Sequence, residues 1–303
     1  MSNFEVIPIT NEKKWDEIVR RFKNYDVSYL SGYAKAFQIH GDGDPILFYY
    51  DDGSTKAINV VMKRDIALSE HFIGKLPLNE WFDISTPYGY GGLWIEGDSF
   101  QAVNDAYDIF CINNGFVSEF VRFHLFSDSH KTYSGESINH SLNVVRDLTP
   151  SLEEIKNDFE YSIRKNLKKA NDANLIIEID EDGKRLNEFL EIYYATMDRA
   201  NAKPSYYFSK EFFNTINCLK GNFVYMHALF EGKIISTELV LYGTENCYSF
   251  LGGTSSEYFS LRPNDFLKYE IIKWAKNKGL KRFVLGGGYT ENDGIFKFKK
   301  SFA

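Results

Sequence analysis

The segment that decides the fold runs from Lys281 to Ala303 and reads KRFVLGGGYTENDGIFKFKKSFA. Its start, Arg282–Leu285, is short and mainly apolar, which predicts a buried strand. Three glycines follow at once, Gly286, Gly287 and Gly288. Because glycine has no Cβ, this run lets the backbone come close to another group, which makes it a candidate binding element. A plain tight turn is the alternative interpretation.

The rest of the segment combines a turn with alternating aromatic and cationic residues. The turn is predicted over 291–294, where the sequence reads ENDG, and Phe296, Lys297, Phe298 and Lys299 follow it. Lysines at this point can meet an anion such as a phosphate, so Lys297, Phe298 and Lys299 join the candidate site. The alternative is an edge strand whose lysines are solvated.

The composition is that of an ordinary globular protein with room for two domains. The chain has 303 residues, of which 44% are hydrophobic and 25% are charged. Its net charge of −7 argues against a DNA-binding protein. The three cysteines and six histidines are scattered without metal-ligand spacing, so no metal is predicted. No apolar run reaches about 18 residues, and we therefore predict no integral membrane segment.

Both halves of the chain contain the same order of elements: a helix, a glycine and a buried strand. In the first half the order is FQAVNDAYDIFCINN, Gly115 and SEFVRFHLF, and in the second half it is WAKNKGLKRFVL. The repetition indicates an internal duplication. A turn at Thr149–Pro150 separates the halves, so we predict an α+β (α/β) fold with two domains, residues 1–148 and 149–303.

The second half contains three predicted strands joined by tight turns, followed by a long helix. Alternation in the middle strand places Glu238 on the same face as Ser236 and Val240. A carboxylate in such an apolar strand is either a hydrogen-bonded structural group or a base with a raised pKa, so Glu238 is a candidate catalytic residue. We predict that Asn264 or Asp265 caps the long helix.

Three further regions carry candidate ligand-binding side chains. The loop DISTPYGYGGLW places Tyr88 and Tyr90 between glycines, either facing a ligand or as a rigid cover over the core. Arg164 belongs to a basic helix that is either a solvated face or an anion site. Arg199, with Tyr207 close behind it, can bind a carboxylate or phosphate bidentately or else serve as a surface ion-pair partner.

These motifs resemble those of FemABX-type transferases, the peptidoglycan bridge-type enzymes, and their FemAB-like relatives of polysaccharide loci in the GNAT superfamily. The resemblance rests on LGGG, an acidic turn and F-K-x-x-F (Phe298–Phe302), and on the R-x-x-L-x-K-A pattern that starts at Arg164. The TPYGYGG loop and the T-x-x-R pattern ending at Arg199 add to it. The resemblance implies two tandem GNAT-like domains, each with a mixed, mostly antiparallel central sheet flanked by helices.

The resemblance also implies a function. We expect an acyltransferase that moves an acyl or aminoacyl group onto an amine of a cell-envelope precursor, an amino sugar or peptide linked to a nucleotide or lipid. The co-substrate would be acyl-CoA or an aminoacyl-tRNA, with no tightly bound cofactor. The loop SSEYFSLRPND lacks the glycines with which acyl-CoA-binding GNAT proteins hold pyrophosphate. The protein would be cytoplasmic and bacterial, peripheral at the inner membrane face where its acceptor is lipid-linked, and able to form a homodimer.

The resemblance assigns roles to the candidate residues. Lys299 or the backbone N–H groups of Ser249–Gly253 would contact the oxyanion of a tetrahedral intermediate. Glu238 or Asp265 would accept the proton of the amine, and Tyr248 would protonate the leaving group. Substrate would be held by Tyr88, Tyr90, Arg164, Arg199, Tyr207, Gly286, Gly287, Gly288, Lys297 and Phe298.

Two other functions fit the same features. One is peptidoglycan bridge formation from an aminoacyl-tRNA, which predicts a basic surface around residues 164–169 and 276–282. The other is a non-catalytic GNAT-like module that recognises a sugar nucleotide. Loss of binding on mutation of Glu238 and Lys299, with no turnover in the parent protein, would favour the module.

Overall fold

The structure, a computed structural model, describes residues 3–288, 290 and 293–303. The chain divides into two units. Unit 1 extends to Ile138 and includes Asn214–Ile216, and unit 2 comprises Asn139–Phe213 and Asn217–Ala303. Two six-stranded sheets are present, each mixed and mostly antiparallel with helices beside it. The predicted α+β fold with two halves, each a mixed and mostly antiparallel sheet flanked by helices, is confirmed.

Unit 1 consists of one mixed sheet and three helices in its described part. The strands are β1 (Phe4–Pro8), β2 (Asp44–Asp51), β3 (Lys56–Asp65), β4 (Phe82–Ser85), β5 (Trp94–Glu96) and β6 (Phe116–Phe120). The helices are α1 (Glu12–Val19), α2 (Ser31–His40) and α3 (Phe100–Asn113). The strand order is β1-β2-β3-β4-β6 with β5 paired to β3, and β4 runs parallel to β6. The core forms where Phe48, Val61 and Ile84 of the sheet meet Tyr107 of α3.

Unit 2 contains the second sheet. Its strands are β7 (Val144–Asp147), β8 (Ile176–Asp180), β9 (Phe223–Phe230), β10 (Lys233–Tyr242), β11 (Asn246–Thr254) and β12 (Arg282–Gly286). Helices in this half of the chain are α4 (Leu152–Asp158), α5 (Tyr161–Asp172), α6 (Leu186–Arg199), α7 (Lys210–Ile216), α8 (Pro263–Asn277) and α9 (Gly294–Lys300). The strand order is β7-β12-β11-β10-β9-β8, and β11 runs parallel to β12.

The core of unit 2 lies between the sheet and helices α5 and α8. Apolar residues recur along α8 with helical spacing, so Leu267 and Ile271 reach the sheet from one face of that helix. They join Leu167 of α5 and the strand residues Met226 and Val240 in one buried cluster. This packing fixes α8 over the centre of the sheet, where the candidate site lies.

Strand β7 determines where the second sheet begins. It pairs antiparallel with β12, so it belongs to the sheet of unit 2. The division between the units comes at Ile138/Asn139. The predicted domain boundary between 148 and 149 falls after β7, between that strand and α4, and both elements lie in unit 2.

The C-terminal segment is helical where the alternation of aromatic and cationic residues suggested a strand. The edge-strand alternative for this segment is wrong, because α9 spans Gly294–Lys300. The Asp293 carboxylate caps the helix by accepting the Phe296 N–H at 2.7 Å. Phe296 of this helix and Phe302, which lies just after its end, are both buried. Positions 291 and 292 of the predicted turn lie outside the described residues.

Candidate functional site

A β-bulge in β11 brings two polar side chains onto one face of the sheet. In the pairing of β10 with β11, Glu238 lies opposite Gly252 and Val240 lies opposite Ser249. The register shifts between these pairs, so Phe250 is the extra residue of β11. Ser249 therefore lies on the face that carries Glu238.

A buried ion pair joins this face of the sheet to helix α8. The Lys268 Nζ donates to Glu238 Oε1 at 2.7 Å and Oε2 at 2.6 Å, and to Ser249 Oγ at 2.6 Å. The side chains of Lys268 and Glu238 are only 8% and 5% exposed. Three acceptors match the three protons of an ammonium group, so the buried charge is fully hydrogen-bonded. With both oxygens engaged, Glu238 is not presented as a proton acceptor, which argues against its predicted role as a catalytic base.

Sequence reasoning missed Lys268. The residue is buried in α8 among Phe266, Leu267 and Ile271. A lysine on the apolar side of an amphipathic helix predicts a buried ion pair, because a buried ammonium group needs a counter-charge. Glu238, an acidic residue in an apolar strand, indicates the carboxylate partner of such a pair in the sheet.

The glycines of the tail make room for two charged side chains of the protein itself. Gly286 has a φ of +84°, and a Cβ on it would lie 3.2 Å from Lys299 Nζ. A Cβ on Gly288 would lie 2.5 Å from an Asp293 carboxylate oxygen. The backbone thus approaches Lys299 and Asp293 closely, and the contact of these glycines with a ligand stays a prediction.

Lys299 points inward from α9. Its Nζ donates to the Gly287 carbonyl oxygen at 2.6 Å. Burial, followed by the positive charge of Lys268, lowers the pKa of Lys299 to about 8, although Glu238 and Asp293 act in the opposite direction. Lys299 is therefore a cation that can lose its proton close to physiological pH.

Replacing Gly286 by alanine is expected to disturb the site beyond its cost in stability. A non-glycine residue at a φ of +84° is strained, and we expect urea unfolding to show a loss of about 1–2 kcal/mol. The new Cβ also crowds the Lys299 amine, so the transfer activity that the resemblance implies should fall further than this loss of stability explains.

Gly279→Ala is the matched control for this variant. Gly279 has a φ of +81° but no neighbouring atom within 4 Å of its ideal Cβ position. It should show the same backbone strain without the crowding. Equal activity of the two variants would show that the position of Lys299 does not depend on Gly286.

Strands β11 and β12 part near Lys299. In the described part of the chain, their paired positions run from Asn246/Arg282 to Tyr248/Val284. Strand β11 nevertheless continues to Thr254 and β12 to Gly286. The segment Ser249–Gly253, predicted to supply oxyanion donors, belongs to this continuing part of β11. It lies at the same end of the parallel pair as Gly286 and Lys299.

The N-terminal turn of α8 holds a buried carboxylate. The helix begins at Pro263 with Arg262 as its N-cap residue, so the predicted caps Asn264 and Asp265 lie inside the first turn. Asp265 is 7% exposed and accepts from Asn166 Nδ2 at 3.3 Å. Burial raises the pKa of Asp265. A raised pKa suits a general base, whereas a carboxylate and a proline at this helix end disfavour a bound pyrophosphate.

Three other candidates of unit 2 lie apart from Lys299. Tyr248 lies on the opposite face of the sheet from Glu238, because strand residues alternate between faces. Lys297 is exposed and, two residues from Lys299 on a helix, points to the other side of α9. The ring of Phe298 packs against the core cluster of unit 2. The structure does not bring these three side chains together with Lys299.

One cationic side chain of the basic helix α5 binds the end of the preceding helix, α4. Arg164 Nη1 donates to the backbone carbonyl of Asn157 at 2.7 Å and to that of Phe159. Those carbonyls lie at the C-terminal end of α4, where a cation stabilises the helix end. The predicted anion-binding role of Arg164 therefore competes with a structural one.

Arg199 and Tyr207 lie near the end of α6. The Arg199 guanidinium lies 5.1 Å from the centre of the Phe259 ring, and the residue lines a surface cavity of about 600 Å³. The Tyr207 hydroxyl donates to Asp198 Oδ1 at 2.8 Å. Both side chains are accessible enough to meet a ligand, and their contact with one stays a prediction.

Tyr88 and Tyr90 belong to unit 1, in a loop held by two phenols. The Tyr29 hydroxyl donates to the Gly92 carbonyl at 2.9 Å, and the Tyr33 hydroxyl donates to the Tyr88 carbonyl. Tyr88 is 42% exposed, and burial raises the pKa of Tyr90 to about 12. The loop is thus rigid and presents one tyrosine outward.

Over 3–288, 290 and 293–303, no group of histidine, cysteine, aspartate and glutamate residues has the geometry to hold a metal ion. Each helix in this part of the chain is too short or too polar to cross a bilayer.

The site lies within a recognised domain family. Residues 157–300 match the family model for the acetyltransferase (GNAT) domain. The match spans strands β8 to β12 and includes Glu238, Lys268 and Lys299. This part of the chain is therefore similar to GNAT acetyltransferase domains.

Solved structures extend the similarity over the whole chain. FemX shares 14% sequence identity at a TM-score of 0.69, covering 98% of this chain and 94% of FemX. The C-terminal domain of a protein described as a lysylphosphatidylglycerol synthetase from Agrobacterium fabrum shares 15% at a TM-score of 0.61, covering 97% and 88%. L-PGS from Bacillus licheniformis shares 15% at a TM-score of 0.61, covering 96% and 80%.

These matches confirm the predicted GNAT-like fold, which this chain shares with FemX. The family model supplies the domain, and FemX shares the fold of both halves. At such identities the structural likeness establishes the fold. No curated protein sequence matches the chain.

Proposed function

We propose that this protein is a GNAT-fold transferase that moves an acyl or aminoacyl group onto an amine of a cell-envelope precursor. The observation that carries the proposal is Lys299, a partly buried amine with a pKa of about 8 beside the parted ends of β11 and β12. The GNAT domain supports acyl transfer. The fold shared with FemX and with a lysylphosphatidylglycerol synthetase supports the envelope setting.

The chemistry requires a group that stabilises negative charge. The acceptor amine attacks the carbonyl carbon of an activated ester or thioester, and the carbonyl oxygen becomes an oxyanion. When this intermediate collapses, the bond from the carbonyl carbon to the donor's oxygen or sulfur breaks, and the alcohol or thiol leaves with the proton that the amine has lost. The Lys299 ammonium group donates a hydrogen bond to the oxyanion, and backbone N–H groups of Ser249–Gly253 are further donors. A donor of this kind acts more strongly on the developing charge than on the neutral carbonyl, which lowers the barrier.

The attacking amine must also lose a proton. Asp265 is the acceptor that we propose, through a water molecule, because burial raises its pKa. Glu238 instead holds Lys268 in place through both of its oxygens. Tyr248 lies on the opposite face of the sheet from Glu238, so its predicted role as proton donor to the leaving group has no support from the geometry.

The acceptor is proposed to be an amino sugar or a peptide carried on a nucleotide or lipid. Arg199 lines the cavity of about 600 Å³ beside α6, and Tyr207 lies close to it in the chain. A guanidinium at a cavity can pair with the carboxylate or phosphate of such a molecule. In unit 1, the exposed ring of Tyr88 is a surface for a sugar or a base.

The choice of donor depends on the N-terminus of α8. A proline and the buried Asp265 carboxylate occupy its first turn, where an acyl-CoA pyrophosphate would require free N–H groups and no negative charge. This observation favours the second candidate function, aminoacyl transfer from an aminoacyl-tRNA, over acyl transfer from CoA.

The test is a binding panel followed by a transfer assay. Thermal stabilisation and calorimetry would use acetyl-CoA, longer acyl-CoAs, UDP-linked amino sugars and UDP-MurNAc-pentapeptide. Binding of the muramyl peptide without any response to CoA would support aminoacyl transfer, and micromolar binding of an acyl-CoA would support acyl transfer. Mass spectrometry of the acceptor then shows the added group. Binding without transfer from either donor class would favour a non-catalytic module, and no binding at all would contradict the proposal.

A further inference from the structure

We propose that the loop between β3 and β4, residues 66–81, is a membrane-binding element that inserts apolar side chains into the surface of a phospholipid bilayer. The loop reads IALSEHFIGKLPLNEW. Five of its large apolar side chains are between 42% and 65% exposed, namely Leu68, Phe72, Ile73, Leu78 and Trp81. Single exposed apolar residues are ordinary, whereas five within one loop mark an interaction surface.

Hydrogen bonds hold the two ends of this loop together. The Asp65 carboxylate accepts the backbone N–H groups of Ala67 at 3.0 Å and of Asn79 at 2.8 Å. The Ile66 N–H group donates to the carbonyl oxygen of Trp81 at 3.0 Å. The two exposed leucines, which are the chain neighbours of Ala67 and Asn79, therefore lie close to each other and to Trp81.

The tip of the loop supplies partners for part of its own backbone. The N–H groups of Phe72 and Ile73 donate to the Ser69 carbonyl at 3.0 and 3.1 Å, and the Lys75 N–H group donates to the Phe72 carbonyl at 2.9 Å. Every residue from 68 to 75 is exposed, so this part of the loop stands off the rest of unit 1. Because backbone groups without a partner are costly away from water, these internal bonds suit the tip to the boundary of a bilayer.

A second copy of the chain fits this surface less well than a bilayer does. The five side chains together present roughly 500 Å² of apolar area, whereas a stable interface takes about 800 Å² from each partner. A protruding loop can also dock into an apolar groove, but the two prominent cavities in the described part of the chain each have six charged residues in their lining. A bilayer requires neither a flat patch nor a matching groove, and its affinity for a protein grows with the apolar area that is buried.

The charges of the loop indicate which interaction would hold it on a bilayer. Residues 66–81 contain Glu70, Lys75 and Glu80 besides His71, and the whole chain has a net charge of −7. Such a protein gains no general attraction from the negative surface of an anionic membrane. Binding should therefore depend on apolar burial, with the Trp81 indole at the headgroup boundary, where tryptophan is enriched in membrane proteins.

Membrane attachment bears on the acceptor of the proposed transfer reaction. An enzyme held at a bilayer meets a lipid-linked acceptor at a higher effective concentration than an enzyme in free solution does. The inference therefore selects the lipid-linked acceptor over the nucleotide-linked one. This selection rests on the proposed function, whereas the binding of the loop to a bilayer does not.

The first experiment measures the partition of the protein onto sucrose-loaded vesicles by sedimentation. Vesicles of phosphatidylcholine alone are compared with vesicles that also contain phosphatidylglycerol, at low salt and at roughly 0.5 M NaCl. We expect binding to both kinds of vesicle, with the same affinity at both salt concentrations. Ile73→Ser combined with Leu78→Ser should weaken the binding about tenfold or more, because less apolar area enters the bilayer.

Ile138→Ser combined with Ile176→Ser is the matched control. These two isoleucines are 73% and 66% exposed, against 65% and 60% for Ile73 and Leu78, and they lie outside the loop. Because all four side chains are exposed, both double variants should keep the stability of the parent. The control should bind vesicles as the parent does, and an equal loss of binding in both double variants would overturn the assignment to the loop.

Trp81 reports insertion directly. It is the most exposed of the four tryptophans, and bromine-labelled phosphatidylcholine quenches the fluorescence of an indole that reaches its acyl chains. We expect the fluorescence to fall when the protein binds brominated vesicles. Trp81→Phe should abolish most of this decrease while the protein still sediments with the vesicles.

The outcomes separate this inference from the proposed function. No binding to either kind of vesicle would overturn the inference, as would binding that needs phosphatidylglycerol and disappears at high salt. A dimer that dissociates in the Ile73→Ser, Leu78→Ser variant, without vesicle binding, would also overturn it and identify a surface for self-association. Vesicle binding by a protein that transfers no group from either donor class would support the inference and contradict the proposed function. Transfer without vesicle binding would contradict the inference alone.

Discussion

Replacing Lys299 by methionine is expected to reduce the transfer rate by about 10²–10³-fold, the usual effect of losing one oxyanion donor. The fold should survive the change. Methionine has a similar length and no charge, and the replaced ammonium group is partly buried. The measurement is the rate of product formation at saturating acceptor, together with the melting temperature of each variant.

The pH dependence of stability gives a second readout of the same substitution. The pKa of Lys299 is about 8 in the folded protein and its ordinary value is 10.5. Below pH 8 both the folded and unfolded chains carry the proton, so the folded state bears the full cost of the buried charge. That cost disappears as the pH rises from 8 toward 10.5. Lys299→Met should therefore be as stable as the parent or more so at pH 7, with an advantage that fades at alkaline pH.

Lys300→Met is the control for the lysine itself. Lys300 is the next residue of α9 and is exposed, so its loss removes the same charge from the same helix without touching the inward-facing amine. A rate near that of the parent is expected. If Lys299→Met transferred the group at an undiminished rate, Lys299 would not be the oxyanion donor.

The second large effect concerns the stability of the buried ion pair. Removing one partner leaves the other charge buried and uncompensated, which typically costs about 3–5 kcal/mol. We expect Glu238→Leu and Lys268→Met each to lose stability on this scale in urea unfolding. The double variant should lose less than either single variant, because no charge is then left alone.

A double-mutant cycle over the four proteins measures the coupling. If the two single effects on the free energy of unfolding were strictly additive, the coupling free energy between Glu238 and Lys268 would be zero. That result would conflict with the contacts of 2.6 and 2.7 Å between them. A comparison cycle on Lys273 and Glu270, a more exposed pair on the same helix, should give a coupling of about 0.2–1 kcal/mol.

Much of the architecture could be predicted from the sequence. The repeated order of helix, glycine and strand indicates two similar halves, and alternation in β10 identifies the face on which Glu238 lies. Both features can be predicted locally, because apolar residues recur along each strand or helix with the period of its buried face. The family motifs could also be found in the sequence, because each is a short run of neighbouring residues at the end of a helix or strand.

The site itself could be predicted only in part. Glu238 and Lys299 were candidates, but Lys268 depends on a partner that lies 30 residues away in the chain and on another element. No window of local sequence contains both. The helix α9 was missed because Phe296 to Lys299 alternates with a period of two, whereas the cap at Asp293 and the burial of Phe302 decide the outcome. Tertiary packing here overrides the local pattern.

The bulge at Phe250 makes the length of β11 as important as its composition. Ser249 reaches the Lys268 ammonium group because one surplus residue is accommodated between it and Gly252. In a strand of regular spacing, side chains at an odd separation fall on opposite faces. An ancestor or descendant that gained or lost a single codon in this stretch would keep every residue type of the site yet lose its geometry. For this protein, insertions and deletions in β11 are thus a more severe evolutionary event than most substitutions there.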